Sequence, residues 1–126
     1  MQKKKILIAE DDELLRHLYE RKFTLAGYDI RTAANGEEAL SAIEEDAPDI
    51  LVLDINMPSL DGFQVLEKLP IEKRPCPVIM LSNFGDEKNK DRAKSLKVDG
   101  FFEKQYTTIK ELLAMIEKVL KKAEGK

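Results

Sequence analysis

Short apolar runs recur along the chain, and each one ends in a polar side chain. Ile6-Leu7-Ile8-Ala9 stops at Glu10, Asp11 and Asp12; Ile50-Leu51-Val52-Leu53 stops at Asp54; Val78-Ile79-Met80-Leu81 stops at Ser82. None of these runs alternates with polar residues, which predicts strands buried on both faces. Residues 29–33 and 100–102 are weaker strand candidates, the second leading through Glu103 to Lys104. Helical patterns lie between. Leu15, Leu18, Tyr19, Phe23 and Ala26 form one stripe, Ala39, Leu40 and Ile43 a second, and Ile109, Leu112, Leu113, Ile116 and Leu120 a third. Asn35 with Glu38 and Thr108 with Glu111 have capping-box spacing, while Gly27 and Gly100 punctuate helix-to-strand returns. Residues 86–96 make the weakest helix, since Ala93 and Leu96 are nearly their only apolar members.

Five strands alternating with five helices predict an α/β fold in which right-handed crossovers place helices on both faces of a parallel sheet. In such a doubly wound sheet, side chains at the carboxyl ends of the strands gather at one edge, where ligands bind. Glu10, Asp11, Asp12, Asp54, Ser82 and Lys104 are then expected to share one pocket.

Bulk properties narrow the field. A length of 126 residues with 43% hydrophobic content predicts one domain, 1–126. The 21 basic and 24 acidic residues give a net charge of −3, and the tightest charge cluster is acidic, so nucleic-acid binding by this domain is not expected. A single cysteine, Cys76, allows no internal disulfide, and only four apolar residues separate the basic start from the acidic cluster. The expectation is no signal peptide, no membrane insertion and a cytoplasmic location.

The pocket inventory suits a divalent cation and a phosphoryl group. A carboxylate is already a nucleophile near neutral pH, so to accept a phosphoryl group Asp54 needs an in-line donor and charge neutralisation rather than a base. Grouped carboxylates resist ionising together unless a cation sits among them. Mg²⁺ meets that need through one or two carboxylates and a backbone carbonyl, and Mn²⁺ can substitute. Lys104 can hold a phosphoryl oxygen as a point charge, and the Ser82 hydroxyl can donate to another.

The strings "ILIAEDDELLR", "ILVLDINMPSLDGFQVL", "PVIMLS" and "GFFEKQYT" resemble the receiver domains of bacterial two-component response regulators, over essentially the whole chain. The resemblance implies a flavodoxin-like (β/α)5 fold with strand order 2-1-3-4-5. It implies that Asp54 accepts phosphate from a histidine kinase or phosphotransfer protein, and that Glu10, Asp11, Asp54 and the Asn56 carbonyl hold Mg²⁺, with Asp12 the extra acid. It makes Ser82 and Phe101 the switch pair and Lys104 the phosphate-binding cation. Met57-Pro58 and Asp61-Gly62 become a shaped loop in which Gly permits a turn. The implied output is an unknown downstream protein bound through the fourth helix, fifth strand and fifth helix, and a phosphorylation-dependent dimer stays open. Self-phosphorylation and slow autohydrolysis are implied, with no external substrate turnover.

Three positions depart from the family pattern. Gln105 stands where Pro usually follows the lysine, and a cis bond to a non-proline costs about 2.5 to 4 kcal/mol, so the Lys104-Gln105 peptide is expected to be trans. Asn83 and Phe84 replace small or polar residues, and an apolar ring at Phe84 offers nothing to align an attacking water, which predicts a long-lived phosphorylated state. His17 reads as a surface residue, Cys76 as structural, and Lys118, Lys121 and Lys122 as a solvated helix terminus. The alternatives are a degenerate receiver acting as a phosphorylation-independent interaction module, a phosphohydrolase of the haloacid dehalogenase type, and a flavodoxin-like cofactor binder. The second lacks an Asp two places after Asp54 and room for a cap; the third is opposed by the acidic first loop.

Overall fold

In the computed structural model, which describes residues 3–83, 87–105 and 107–125, strands and helices alternate without exception. The order is β1 (Lys5–Ala9), α1 (Glu13–Leu25), β2 (Asp29–Ala33), α2 (Gly36–Glu45), β3 (Ile50–Asp54), α3 (Gly62–Glu67), β4 (Val78–Ser82), α4 (Glu87–Ser95), β5 (Gly100–Glu103) and α5 (Ile109–Glu124). The sheet is wholly parallel with order β2-β1-β3-β4-β5. This is the doubly wound architecture expected from the strand and helix patterns.

Strand alternation divides the core in two. Ile6, Ile8, Ile50, Val52, Ile79, Leu81 and Phe102 pack with Tyr19 and Phe23 of α1 and Leu112, Ile116 and Leu120 of α5. Leu7, Ala9, Leu51, Leu53, Val78 and Met80 pack on the other side with Ala39 and Ile43 of α2, Phe63, Val65 and Leu66 of α3, and Ala93 of α4. The α1 stripe is narrower than its spacing predicts. Leu18 points to solvent because it lies about 60° off the Leu15 line at roughly 100° per residue, and Ala26 is exposed because it is already the helix C-cap.

Caps place the helices. Thr108 and Glu111 form a complete capping box on α5. Asn35 caps α2 by accepting from the Glu38 N–H, but Glu38 reaches back one residue further than the motif predicts, accepting from Ala34 N–H. A box not read from the sequence, Asp61 with Gln64, starts α3. Asp61-Gly62 is therefore a helix start and not a turn, and the left-handed residue of that loop is Ser59, at φ 61°. Gly62 serves by its size: a Cβ there would lie 2.5 Å from the Asp54 carbonyl oxygen. Likewise Gly27 supplies the left-handed turn after α1, whereas after α4 that conformation falls on Lys97 at φ 60°, and Gly100 makes room for Met115.

Polar contacts supplement the sparse apolar packing of the fourth helix. The Arg92 guanidinium lies 4.3 Å from the centre of the Phe63 ring, and Arg92 pairs with Glu67 of α3 at 3.1 Å. Arg74 donates to the carbonyls of Leu69, Leu96 and Lys97, tying the end of α4 to the segment after α3. Among the described residues, no helix is long and apolar enough to cross a membrane.

Candidate functional site

β1 and β3 are neighbours, so Glu10, one residue past β1, and Asp54, the last residue of β3, meet at the carboxyl edge. Both are almost fully buried, and Ser82 at the end of β4 is buried with them. Lys104 follows β5 and reaches back across β4. Its ammonium donates to Glu10 Oε1 at 2.6 Å and lies 3.1 Å from Asp54 Oδ2. Lys104 is therefore the partly buried counter-ion of two buried carboxylates.

Asp54 Oδ2 accepts no hydrogen bond despite its depth, the Lys104 contact being an ion pair of poor hydrogen-bond geometry. Oδ1 receives a long contact from the Asn56 N–H at 3.4 Å. Burial, then the negative charge of Glu10, pushes the Asp54 carboxyl up to about 7, and Lys104 opposes both. For Lys104, burial works against the charge, yet the hydrogen bond to Glu10 and the field of Asp54 outweigh it and hold its pKa above the ordinary value.

Oxygen atoms of Glu10, Asp11 and Asp54 lie within 4.8 Å of one another, Asp11 exposed and the other two buried. Three convergent carboxylates, one with an unsatisfied buried oxygen, suit a small hard cation. Asp12 is used differently, because its side chain accepts from the Leu15 N–H at 3.0 Å and caps α1. Its own N–H donates to Glu10 Oε2 at 3.1 Å. Asn56 is exposed beside the pocket, between buried Ile55 and Met57.

Phe101 sits in β5, half-buried, and packs on the α2–α3–α4 side of the sheet, the side that Val78 and Met80 of β4 also face. Phe84 lies outside the described residues, and Asn83 is exposed. The Lys104-Gln105 peptide is trans. The loop is tied instead by the Lys104 N–H donating to the Ser82 carbonyl at 2.9 Å and by the Thr107 hydroxyl donating to the Glu103 carbonyl. His17 is exposed. Cys76 is buried at the opposite edge of the sheet, and burial pushes its thiol up to about 12.

Two neighbours of the site escape a reading by strand ends. Arg16 donates to the carbonyls of Glu10 and Asp11 at 2.9 and 3.4 Å and holds the acidic loop; the available signal was a cation one turn after the Asp12 cap. Tyr19 carries a phenol on the buried stripe of α1. Burial, then Glu10, Asp54 and Asp12, raises its pKa, which places it in the field of the pocket.

The chain is similar to a probable transcriptional regulator, ycf27, of Porphyridium aerugineum, with 38% identity over 98% of this chain and 51% of that protein. It spans about half the length of the curated relatives it matches. Among solved structures it is similar to the receiver domain of Francisella response regulator 1452, at 32% identity and a TM-score of 0.89 over 95% of this chain and 98% of that one. A CheY-like receiver domain protein from Methanospirillum hungatei has 25% identity and a TM-score of 0.91, over 98% of both chains. The response regulator receiver domain family matches residues 6–117. With that match across most of its length and the strand order of the fold, the chain belongs to the response regulator receiver domains.

Proposed function

We propose that the domain is a signalling switch that takes a phosphoryl group onto Asp54 from a phosphohistidine donor. The observation that carries this reading is the Asp54 carboxylate itself: buried at the carboxyl edge, with an oxygen lacking a hydrogen bond, between a lysine and two further acids. A carboxylate oxygen of Asp54 attacks phosphorus, the bond from phosphorus to the donor nitrogen breaks, and its electron pair returns to the imidazole. Lys104, already 3.1 Å from Asp54, shifts its charge toward the arriving phosphoryl oxygens. The Ser82 hydroxyl supplies a further donor. Glu10, Asp11, Asp54 and the Asn56 carbonyl would hold Mg²⁺, or Mn²⁺ in its place. The metal, when bound, supplies neutralisation of the charge that builds on the phosphoryl oxygens.

The donor has a fitting surface. α1 exposes Leu14 (82%), Leu18 (40%) and Leu25 (76%), and these fall within about 40° of one another around the helix axis at roughly 100° per residue. An apolar stripe that starts beside the acidic loop suits a helix of a histidine kinase or phosphotransfer protein. Output passes to a protein partner through α4, β5 and α5. Ser82 moving toward the phosphoryl group and Phe101 turning inward form the two-state element, and α4, with little apolar surface of its own, responds.

Mass spectrometry after incubation with acetyl phosphate and Mg²⁺ tests the reading. One phosphoryl group is expected on the wild-type chain and none on Asp54→Asn. Equal incorporation in the variant removes Asp54 as acceptor, and no incorporation in either favours a phosphorylation-independent interaction module.

A further inference from the structure

We propose that Gly36, at the start of α2, is a positioning residue for the acceptor pocket and acts through its contact with Leu60. The inference rests on the reading of Asp54 as a metal-assisted acceptor. The loop from Ile55 to Asp61 leads directly on from Asp54 and carries Asn56. It is pinned by the Ile55 N–H donating to the Leu81 carbonyl at 3.0 Å and by the Gly62 N–H donating to the Ile55 carbonyl at 2.8 Å. Between those points the chain passes through the left-handed Ser59 and comes to rest on α2.

That contact leaves no space. A Cβ at Gly36 would lie 2.3 Å from the Leu60 carbonyl oxygen, 2.5 Å from Leu60 Cβ and 2.9 Å from Leu60 C. Two of these three atoms are backbone, so no rotamer change relieves the clash, and something must move by about 1 Å to restore ordinary van der Waals contact. α2 is the firmer side. Ala39 and Ile43 are buried in the core, Asn35 caps the helix, and β2 leads into it from the sheet. The loop belongs to no helix or strand and is the side taken to yield, and Asn56 lies four residues before Leu60 within it. The missing side chain at Gly36 thus sets how closely the loop that leads on from Asp54 can approach α2. Supporting groups around a metal site typically change affinity or activity by about 10- to 100-fold when disturbed.

The test titrates Mg²⁺ into the metal-free full chain by calorimetry, beside phosphoryl uptake from acetyl phosphate and thermal unfolding. Gly36→Ala is expected to bind Mg²⁺ about tenfold or more weakly, with uptake partly restored at high Mg²⁺. A merely structural role would lower the melting temperature and leave Mg²⁺ affinity alone. Should Gly36→Ala not fold, Leu60→Gly removes the loop's side chain from the contact while leaving α2 intact, and the same weakening is expected. Wild-type affinity in Gly36→Ala, or in Leu60→Gly if the first variant does not fold, overturns the proposal while wild-type uptake still supports Asp54 as acceptor. A wild-type chain that takes up no phosphoryl group removes the functional reading and this inference with it.

Discussion

Lys104 Nζ lies 2.6 Å from Glu10 Oε1 although 94 residues separate the two in the chain. The pair ties the β5–α5 loop to the acidic loop, and with Asp54 it makes a triad of one partly buried cation and two buried carboxylates. Removing one member of a buried ion pair leaves its partners uncompensated, a loss of about 3 kcal/mol or more. Lys104→Met is therefore expected to lower stability strongly at pH 8, less at pH 5 where the orphaned Asp54 carboxyl can take up a proton, and to abolish phosphoryl uptake. Urea unfolding at the two pH values checks this, and an equal loss at both would show that charge is not the cause.

Asp54 sets a pH dependence of its own. Its carboxyl is raised from 3.8 to about 7 by burial and by Glu10. Folding therefore favours the protonated form, a contribution fully present below about pH 4 and lost as pH rises through about 7. In metal-free buffer, Asp54→Asn is expected to flatten this slope and to exceed the wild type in stability at pH 8 by about 1–3 kcal/mol. Mg²⁺ should narrow the difference by stabilising the wild type alone. Parallel pH profiles for the two chains would contradict the assignment.

Asp11 and Asp12 are adjacent acids with separable roles. Asp11→Asn removes a carboxylate from the metal-competent group while sitting exposed, so calorimetry is expected to show weaker Mg²⁺ binding with stability within about 0.5 kcal/mol of wild type. Asp12→Ala removes the α1 cap and is expected to cost about 1 kcal/mol while leaving most Mg²⁺ affinity intact. The reverse pattern would exchange the two roles.

Arg92 tests what holds α4. The guanidinium over Phe63 and the pair with Glu67 supplement a helix in which Ala93 is the fully buried apolar residue. Arg92→Ala is expected to cost about 1 kcal/mol and to speed amide exchange across α4 before it affects the sheet. Uniform acceleration throughout the chain would mean that α4 does not open separately.

Much of the site was legible along the chain because a strand has period two and an apolar run has an end. Ile6 and Ile8 lead to Glu10, Ile50 and Val52 to Asp54, and Phe102 to Lys104, so these three polar groups continue the face that packs on α1 and α5. Ser82 continues the opposite face, with Val78 and Met80, where Phe101 also lies. Alternation thus puts the charged trio on one face of the sheet and Ser82 with Phe101 on the other. Helix-start signals were legible for the same local reason, as in the Thr108 cap.

Tertiary structure decided the rest. Strand order makes Glu10 and Asp54 neighbours but leaves Lys104 two strands from Asp54, about 10 Å at the usual spacing, so the side chain must reach across β4 to close the triad. The resemblance already set Asp12 apart from the metal group, and the structure adds that its side chain caps α1 while Asp11 joins Glu10 and Asp54. Left-handed backbone fell on Ser59 and Lys97, where no glycine marked it, while Gly36, Gly62 and Gly100 proved to be places where neighbouring atoms leave little room for a side chain. Leu14 and Leu25 were exposed because the fold turned that face of α1 away from the core. A sequence pattern reports what each residue prefers beside its neighbours in the chain; which distant groups share a pocket is set by sheet order and helix placement, and those are settled only when all the faces are buried together.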